Sequence, residues 1–212
     1  MIVIDENSSG SLNIAVKFLR EKKLISFATD TVYGIACDAS SEEAVDKIFK
    51  IKNRQANKPI AIFLNDLEQA KNIFDFNTYS DRIAEKFMPG PITLVLKVNN
   101  SAKNILAKNL NSIDNFIGFR IVNLSFISNL LKAFGRPLAV TSANLSQEPS
   151  SIRAIDVKKY FFYEDILLID GGACKEKISS TVVKVDNNKV EIIRNGAIDK
   201  KNIYENIWYN KL

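Results

Sequence analysis

The sequence predicts an α/β protein in which helices pack on a mixed β-sheet. Apolar runs typical of strands alternate with segments of helical apolar spacing along most of the 212 residues. Towards the C-terminus the pattern becomes a hairpin, with strands at 181–185 and 190–194 around a turn at Asn187 and Asn188. Helical crossovers favour parallel pairs and hairpins give antiparallel pairs, so we expect a sheet containing both. No linker rich in Gly, Ser or Pro interrupts the middle of the chain, which favours one domain over residues 1–212.

Helices and strands alternate through the first half of the chain. Apolar spacing indicates a helix over 8–23, with Ser9 or Ser11 as its cap. A capping box at 40–43 begins the next helix, which extends to about Lys50. The other elements of this half are strands at 24–28 and 59–64 and helices at about 66–74 and 79–87.

The second half begins where the Pro-Gly-Pro segment at 89–91 stops the preceding helix. A helix over 125–134 ends at Gly135, because a residue without Cβ adopts the left-handed conformation of a helix C-terminus at little cost. Strands are predicted at 92–98, 116–122, 137–141 and 166–169, before the C-terminal hairpin.

The composition argues against several classes of protein. The chain has no histidine, so any chemistry must rest on positioning and charge neutralisation rather than on an imidazole base. Cys37 and Cys174 are too few for a disulfide framework, and without histidine they make no ordinary zinc site, which favours a reducing, cytoplasmic setting. Asp5 and Glu6 argue against a signal peptide. No apolar run reaches the roughly 18 residues expected of a membrane span.

Four short segments combine hydroxyls and cations beside apolar runs or at helix ends: 29–34, 52–54 with 58–59, 141–144 and 180–183. Such groups suit a phosphate-rich ligand, and the net charge of +5 agrees with nucleotide or nucleic-acid phosphates, although lysines on a solvated surface explain it equally well. In the second segment three cations within seven residues repel one another unless an anion lies between them. The common nucleotide loops GxxxxGKS/T and GxGxxG are absent, so a nucleotide would bind outside them.

Arg120 lies in a run that is otherwise apolar on both sides. A charge there is costly to bury unless it is paired. One interpretation is an edge-strand arginine that reaches solvent or pairs with a carboxylate; the other is a fork that holds a ligand carboxylate. The sequence leaves both interpretations open.

Taken together, the motifs resemble those of the YrdC-like family, the threonylcarbamoyl-AMP synthases of transfer-RNA modification. The resemblance runs from about residue 24 to 198 and rests on seven segments in order: TDTVYG, KNR with KP after it, PGPITLVL, GFR, TSANLS, STVV and RNGAI. It implies an open, twisted mixed sheet flanked by helices, with a concave cationic surface, in the family's short single-domain form. It also implies that L-threonine, bicarbonate and ATP, the last with Mg²⁺, give threonylcarbamoyl-AMP and pyrophosphate.

The resemblance assigns roles to individual positions. Lys52 and Arg54 resemble the catalytic cations. The positions similar to L-threonine contacts are Thr31, Tyr33, Arg120 and Ser180. The positions similar to nucleotide contacts are Arg54, Lys58, Ser142, Asn144, Ser150 and Arg194. No resident metal ligand is implied. The product would pass to transfer-RNA modification proteins that load it onto adenosine, with possible binding of transfer RNA or double-stranded RNA and no membrane contact.

The chain departs from the family pattern at several loop positions. Ala28 stands where proline is usual, Gln147 where glycine follows SANLS, and Lys184 where aspartate is frequent. Ile178 replaces one of the residues usual before STVV. We expect these departures to alter loop conformation without removing a cation that the reaction needs.

Two other functions compete with the synthase. A concave basic sheet could hold double-stranded or transfer RNA by backbone charge alone, without turnover. A related carbamoyl-adenylate chemistry would use carbamoyl phosphate in place of threonine and bicarbonate. Salt-sensitive RNA binding without ATP turnover would distinguish the first alternative.

Overall fold

The computed structural model describes residues 1–55, 58–102, 104–110 and 115–208, except for the side chain of Trp208. Within them the strands are β1 Ile2–Asp5, β2 Leu24–Phe27, β3 Gly34–Asp38, β4 Ala61–Phe63, β5 Ile92–Lys97, β6 Phe116–Arg120, β7 Leu138–Ser142, β8 Ile166–Asp170, β9 Thr181–Asp186 and β10 Lys189–Arg194. The α-helices are α1 Ser11–Arg20, α2 Glu42–Ile51, α3 Leu67–Ile73, α4 Thr78–Phe87, α5 Ser125–Phe134, α6 Ala154–Phe161 and α7 Lys200–Trp208. Short 3₁₀ turns lie at Asn100–Ala102 and Lys108–Leu110.

The ten strands of the described residues form one sheet in the order β1-β8-β2-β3-β7-β4-β6-β5-β9-β10. Parallel pairs such as β2–β8 and β5–β9 lie in the same sheet as antiparallel pairs such as β2–β3 and β9–β10. The mixed sheet predicted from the sequence is therefore confirmed.

Two apolar layers cover the sheet unequally. On one face α1 and α5 pack over the half of the sheet that contains β2, β7 and β8. On the other face a larger core joins α2, α3, α4, α6 and α7 to nearly every strand. Alternation along β5 and β6 turns Leu94 and Phe119 into this larger core and turns Thr93, Gly118 and Arg120 to the opposite face. No helix of the described residues packs on that face of β5, β6 and β9, and a cavity forms there.

Several elements differ from the sequence predictions. The helix expected over 8–23 extends only over Ser11–Arg20, and its N-cap is Gly10, without a side-chain bond. In α2 the cap is Ser41, which accepts from the N–H of Ala44, so the capping box expected one residue earlier does not form. Ser40 instead donates to Asp38. Gly135 is confirmed as the C-cap of α5, with φ of 77°.

Four elements were not predicted: β1, β3, α6 and α7. β3 is short, contains glycine and cysteine, and is buried on both faces, so it lacks the alternation by which a strand is found. It pairs antiparallel with β2 and β7 and thereby places the 29–34 loop beside the end of β7.

Candidate active site

A cavity of about 410 Å³ lies on the helix-free face of the sheet. Residues of the sheet line it: Val95 from β5, Phe116 and Gly118 from β6, and Val182 from β9. Eight of the site residues predicted from the sequence line it: Thr31, Tyr33, Arg54, Lys58, Arg120, Ser142, Ser180 and Arg194. Segments far apart in sequence thus meet at one place, and a volume of this size suits a small-molecule ligand.

The 29–34 loop is held by a hydroxyl turn. The Thr29 hydroxyl donates to the Val32 carbonyl at 2.6 Å and accepts from the backbone N–H groups of Thr31 and Val32. The Thr31 hydroxyl lies 2.9 Å from that of Thr29 and accepts a hydrogen bond from Arg120 Nη1 at 3.0 Å. Thr31 therefore stands in a fixed position beside the guanidinium.

Arg120 lies on β6, between β4 and β5, so the edge-strand interpretation is wrong. Its side chain is 6% exposed, and Nη2 donates to both carboxylate oxygens of Asp30, at 2.7 and 3.0 Å. A third bond runs to the Gly90 carbonyl, and Nε is buried without a partner among the described atoms. Burial lowers the pKa of Arg120, and Asp30 opposes this shift. The pairing with a carboxylate is thus confirmed, whereas ligand binding by the fork stays a prediction.

Asp30 belongs to the site although the sequence analysis did not propose it. It lies between the two threonines of the TDT segment, next to a residue that was proposed. The sequence did indicate that an acidic partner exists, since a buried arginine needs a carboxylate, and Asp30 follows a buried strand. The sequence could not show which of the 24 acidic residues supplies it.

Arg194 lines the cavity and holds Ser180 in place through three hydrogen bonds. Its Nε and Nη2 both donate to the Ser180 carbonyl, at 3.1 and 2.8 Å, and Nη2 also donates to the Ser180 hydroxyl at 3.1 Å. The Ser180 hydroxyl lies 2.8 Å from that of Thr93, a buried cavity residue that the sequence analysis missed. Burial, and then the nearby charge of Arg120, lower the pKa of Arg194. The C-terminal hairpin therefore contributes the Arg194 cation, which holds Ser180 next to the hydroxyl of Thr93 on β5.

Arg54 and Lys58 bring two further cations to the cavity. Arg54 donates to the carbonyls of Lys58 and Pro59, at 3.3 and 2.8 Å, and these bonds hold the two cationic residues close together. Burial lowers the pKa of Arg54. Within the described ranges, neither these two residues nor Arg194 forms a salt bridge. Among the described residues four cations line the cavity and only Arg120 is neutralised, which leaves an excess of positive charge for an anionic ligand.

Three predicted residues are not among those that line the cavity: Lys52, Asn144 and Ser150. Lys52 is buried, and its ammonium donates to the carbonyls of Ser142 and Asn144. Burial and the charge of Arg54 lower the pKa of Lys52 to about 7. Lys52 thus holds the 142–144 segment against the end of α2, and its direct catalytic contact stays a prediction.

Asn144 and Tyr33 are engaged with neighbouring loops. The amide of Asn144 donates to the carbonyls of Leu145 and Glu148, at 2.9 and 2.6 Å. The hydroxyl of Tyr33 donates to the Gly172 carbonyl at 2.8 Å and lies 3.2 Å from an oxygen of Asp170. Burial and the charge of Asp170 raise the pKa of Tyr33. Both residues shape the cavity through the loops that they hold.

Two of the departures from the family pattern have local structural effects. Gln147 has φ of 75°, a left-handed conformation that glycine adopts more readily than any other residue. Lys184 places its ammonium 3.9 Å from the centroid of the ring of Phe116, which lines the cavity. Both cysteines are buried, which raises their thiol pKa values, that of Cys174 to about 11, so neither is an activated nucleophile.

Comparison with known proteins identifies the family. The family model Sua5_yciO_yrdC, described as "Telomere recombination", matches residues 17–196. A Methanocaldococcus jannaschii protein, named provisionally as a threonylcarbamoyl-AMP synthase, is 33% identical over 194 residues, covering 92% of this chain and 89% of its own length. The threonylcarbamoyl-AMP synthase of Pyrococcus abyssi is 31% identical over 193 residues, covering 91% of this chain.

A solved structure agrees with the sequence comparison. The crystal structure of Pyrococcus abyssi Sua5 complexed with L-threonine matches this fold with a TM-score of 0.89 at 30% identity, over 98% of this chain and 60% of the other. The chain therefore spans little more than half of the Pyrococcus protein, 56% by the sequence match. Since the family model covers most of the chain and relatives above 30% identity cover about nine tenths of it, this protein belongs to the Sua5/YciO/YrdC family.

Proposed function

We propose that the protein is an L-threonylcarbamoyladenylate synthase, which makes threonylcarbamoyl-AMP and pyrophosphate from L-threonine, bicarbonate and ATP for transfer-RNA modification. The observation that carries the proposal is the excess of positive charge in a single cavity, where Arg54, Lys58 and Arg194 have no carboxylate partner among the described residues. ATP and the carboxylate of an amino acid supply the missing anions. Relatives named threonylcarbamoyl-AMP synthase support the same assignment.

The reaction needs two bond-forming steps. The amine of L-threonine and bicarbonate combine to a carbamate and water. A carbamate oxygen then attacks the α-phosphorus of ATP, the bond to the bridging oxygen breaks, and pyrophosphate leaves. Such a transfer spreads negative charge over oxygens, so catalysis consists chiefly of alignment and electrostatic stabilisation, which suits a chain without histidine.

The geometry suggests a division of the cavity. Arg54 and Lys58 are held together by a hydrogen bond, line the cavity and are available to the phosphates. Arg120 on β6 and Thr31 on the loop after β2 are bonded to each other and form the amino-acid end, where Ser180 also lines the cavity. Lys52 acts through the 142–144 segment, whose backbone it holds, and so keeps Ser142 at the cavity wall.

We assign Mg²⁺ to the nucleotide rather than to the protein. Among the described residues, no three Cys, Asp or Glu side chains come together in a way that could hold a metal ion. Asp30, beside the cavity, is already bonded to Arg120. Mg²⁺ would therefore enter as the ATP complex, with phosphate oxygens as its ligands.

The product is a reactive mixed anhydride and needs an acceptor. We propose that transfer-RNA modification proteins receive it, and that the setting is cytoplasmic. Binding of transfer RNA or double-stranded RNA to the protein itself is a further proposal. No helix within the described part of the chain is long and apolar enough to cross a membrane.

Pyrophosphate release tests the proposal directly. The purified protein is incubated with ATP, Mg²⁺ and bicarbonate, with and without L-threonine, and a second pair omits bicarbonate. We expect release only when both co-substrates are present. Absence of release and of ATP binding, together with salt-sensitive binding of RNA, would replace the synthase with the RNA-binding alternative.

A further inference from the structure

Thr93 carries a polar group that the proposed roles leave unused. It lies on β5, is 6% exposed, and lines the cavity. Its methyl Cγ2 packs over Gly118, since a Cβ at that glycine would lie only 2.9 Å from it. Because a β-branched side chain has few rotamers, this contact holds the hydroxyl towards Ser180, at an Oγ–Oγ distance of 2.8 Å.

The donors and acceptors around the two hydroxyls can be counted. Each hydroxyl has one proton and two acceptor sites, whereas a guanidinium only donates. Arg194 Nη2 donates to the Ser180 hydroxyl, and the contact between Ser180 and Thr93 uses one of the two hydroxyl protons. The other proton has no protein acceptor within hydrogen-bond distance among the described residues. Both residues line the cavity, so this proton is available to a ligand there.

The charge of Arg194 decides which residue keeps the free proton. A hydroxyl that accepts a hydrogen bond from a cation becomes a stronger donor and a weaker acceptor. Ser180 therefore donates to Thr93, and the Thr93 proton remains. The chain of donation runs from Arg194 through Ser180 to Thr93 and from there into the cavity.

We propose that Thr93 is a substrate-binding residue that donates a hydrogen bond from its hydroxyl to an acceptor oxygen of the amino-acid substrate. The inference rests on the proposed function. Its position fits this role because β5, which carries Thr93, pairs with β6, which carries Arg120, and both residues line the cavity. Ser180 and Arg194 act on that contact as positioning residues, through the donor chain.

Two substitutions at residue 93 separate the hydroxyl from the shape of the side chain. Thr93→Val keeps the volume and the methyl over Gly118 and removes the donor. We expect it to raise the KM for L-threonine about tenfold, the effect of one lost hydrogen bond, with the KM for ATP unchanged. Thr93→Ser keeps the donor, and we expect its KM for L-threonine to stay close to that of the wild type. If Thr93→Val does not fold, Thr93→Ala removes the same hydroxyl.

A double substitution tests the donor chain. If Ser180 acts through Thr93, adding Ser180→Ala to Thr93→Val should weaken L-threonine binding no further, because the chain is already broken at its end. Additive losses would show two independent contacts and overturn the proposed chain. Calorimetric titration of each folded variant with L-threonine measures the affinity without turnover.

The outcomes keep this inference distinct from the proposed function. If the wild type shows no threonine-dependent pyrophosphate release, the synthase assignment fails. If the wild type is active and binds L-threonine, but Thr93→Val matches it in KM and affinity, the Thr93 hydroxyl is only a satisfied core group and the inference is overturned. An equal loss in the Thr93→Ser variant would also overturn it, since packing rather than the donor would then be responsible.

Discussion

The Arg120–Asp30 pair gives the sharpest stability prediction. Its side chains are 6% and 13% exposed, and Nη2 donates to both carboxylate oxygens. Asp30→Asn keeps the shape but leaves a buried guanidinium without a counter-charge. Removing one partner of such a pair costs about 3–5 kcal/mol. With an unfolding entropy of about 2.1 cal/mol/K per residue over 212 residues, the Tm should fall by about 7–11 °C.

Thermal unfolding followed by circular dichroism measures this change. Glu43→Gln is the matched control, because it also removes a salt-bridged carboxylate, but one that is 56% exposed. Solvent screens that pair, so its Tm should stay near the wild-type value. Adding Arg120→Met to Asp30→Asn should recover part of the loss, since the uncompensated charge is then gone. A Tm for Asp30→Asn within about 2 °C of the wild type, equivalent to less than about 1 kcal/mol, would refute the argument that Asp30 neutralises Arg120.

Three further predictions concern the cations. Arg120→Lys keeps a charge but loses the fork, so the KM for L-threonine should rise; an unchanged KM in steady-state assays would contradict the carboxylate clamp. Arg54→Ala and Lys52→Ala should each slow adenylate formation on the order of 10²-fold, measured as pyrophosphate release, and near-normal rates would remove them from the mechanism. Burial and the charge of Arg54 lower the pKa of Lys52 to about 7 in the folded protein. Above that pH the folded chain has lost the Lys52 proton that the unfolded chain still binds. Chemical denaturation should therefore show the wild type gaining stability relative to Lys52→Met from about pH 7 to 10, and a flat difference would contradict the shift.

The sequence was most informative where local chemistry is strong. Helix α5 and its C-cap at Gly135 were predicted because apolar spacing and a left-handed glycine act within a few residues. The antiparallel C-terminal hairpin followed from its turn residues in the same way. β3 was missed because its burial on both faces depends on strands and helices distant in sequence. The cap of α2 was misplaced by one residue because Ser40 hydrogen-bonds Asp38, two residues earlier, and leaves the helix to be capped by Ser41.

The candidate site was also predicted only in part from the sequence. The hydroxyl and cation segments could be read from the sequence, because residue type alone limits what such groups can bind. The sequence could not show which of these groups face the cavity, since that depends on strand order and on the side of the sheet to which each residue points. Arg54 and Lys58 line the cavity, whereas Lys52, two residues away from Arg54, is bonded to backbone carbonyls.

By itself, the sequence determined the class of chemistry, because it contains no histidine, places cations near hydroxyls, and has ordered motifs that resemble one family. Only the tertiary structure decided how the charges are balanced. It paired Arg120 with Asp30 across 90 residues and brought Arg194, Ser180 and Thr93 within hydrogen-bond distance of one another in series. The physical reason is that hydrogen bonds and buried charges depend on distances of a few ångströms, which sheet order fixes and residue order does not.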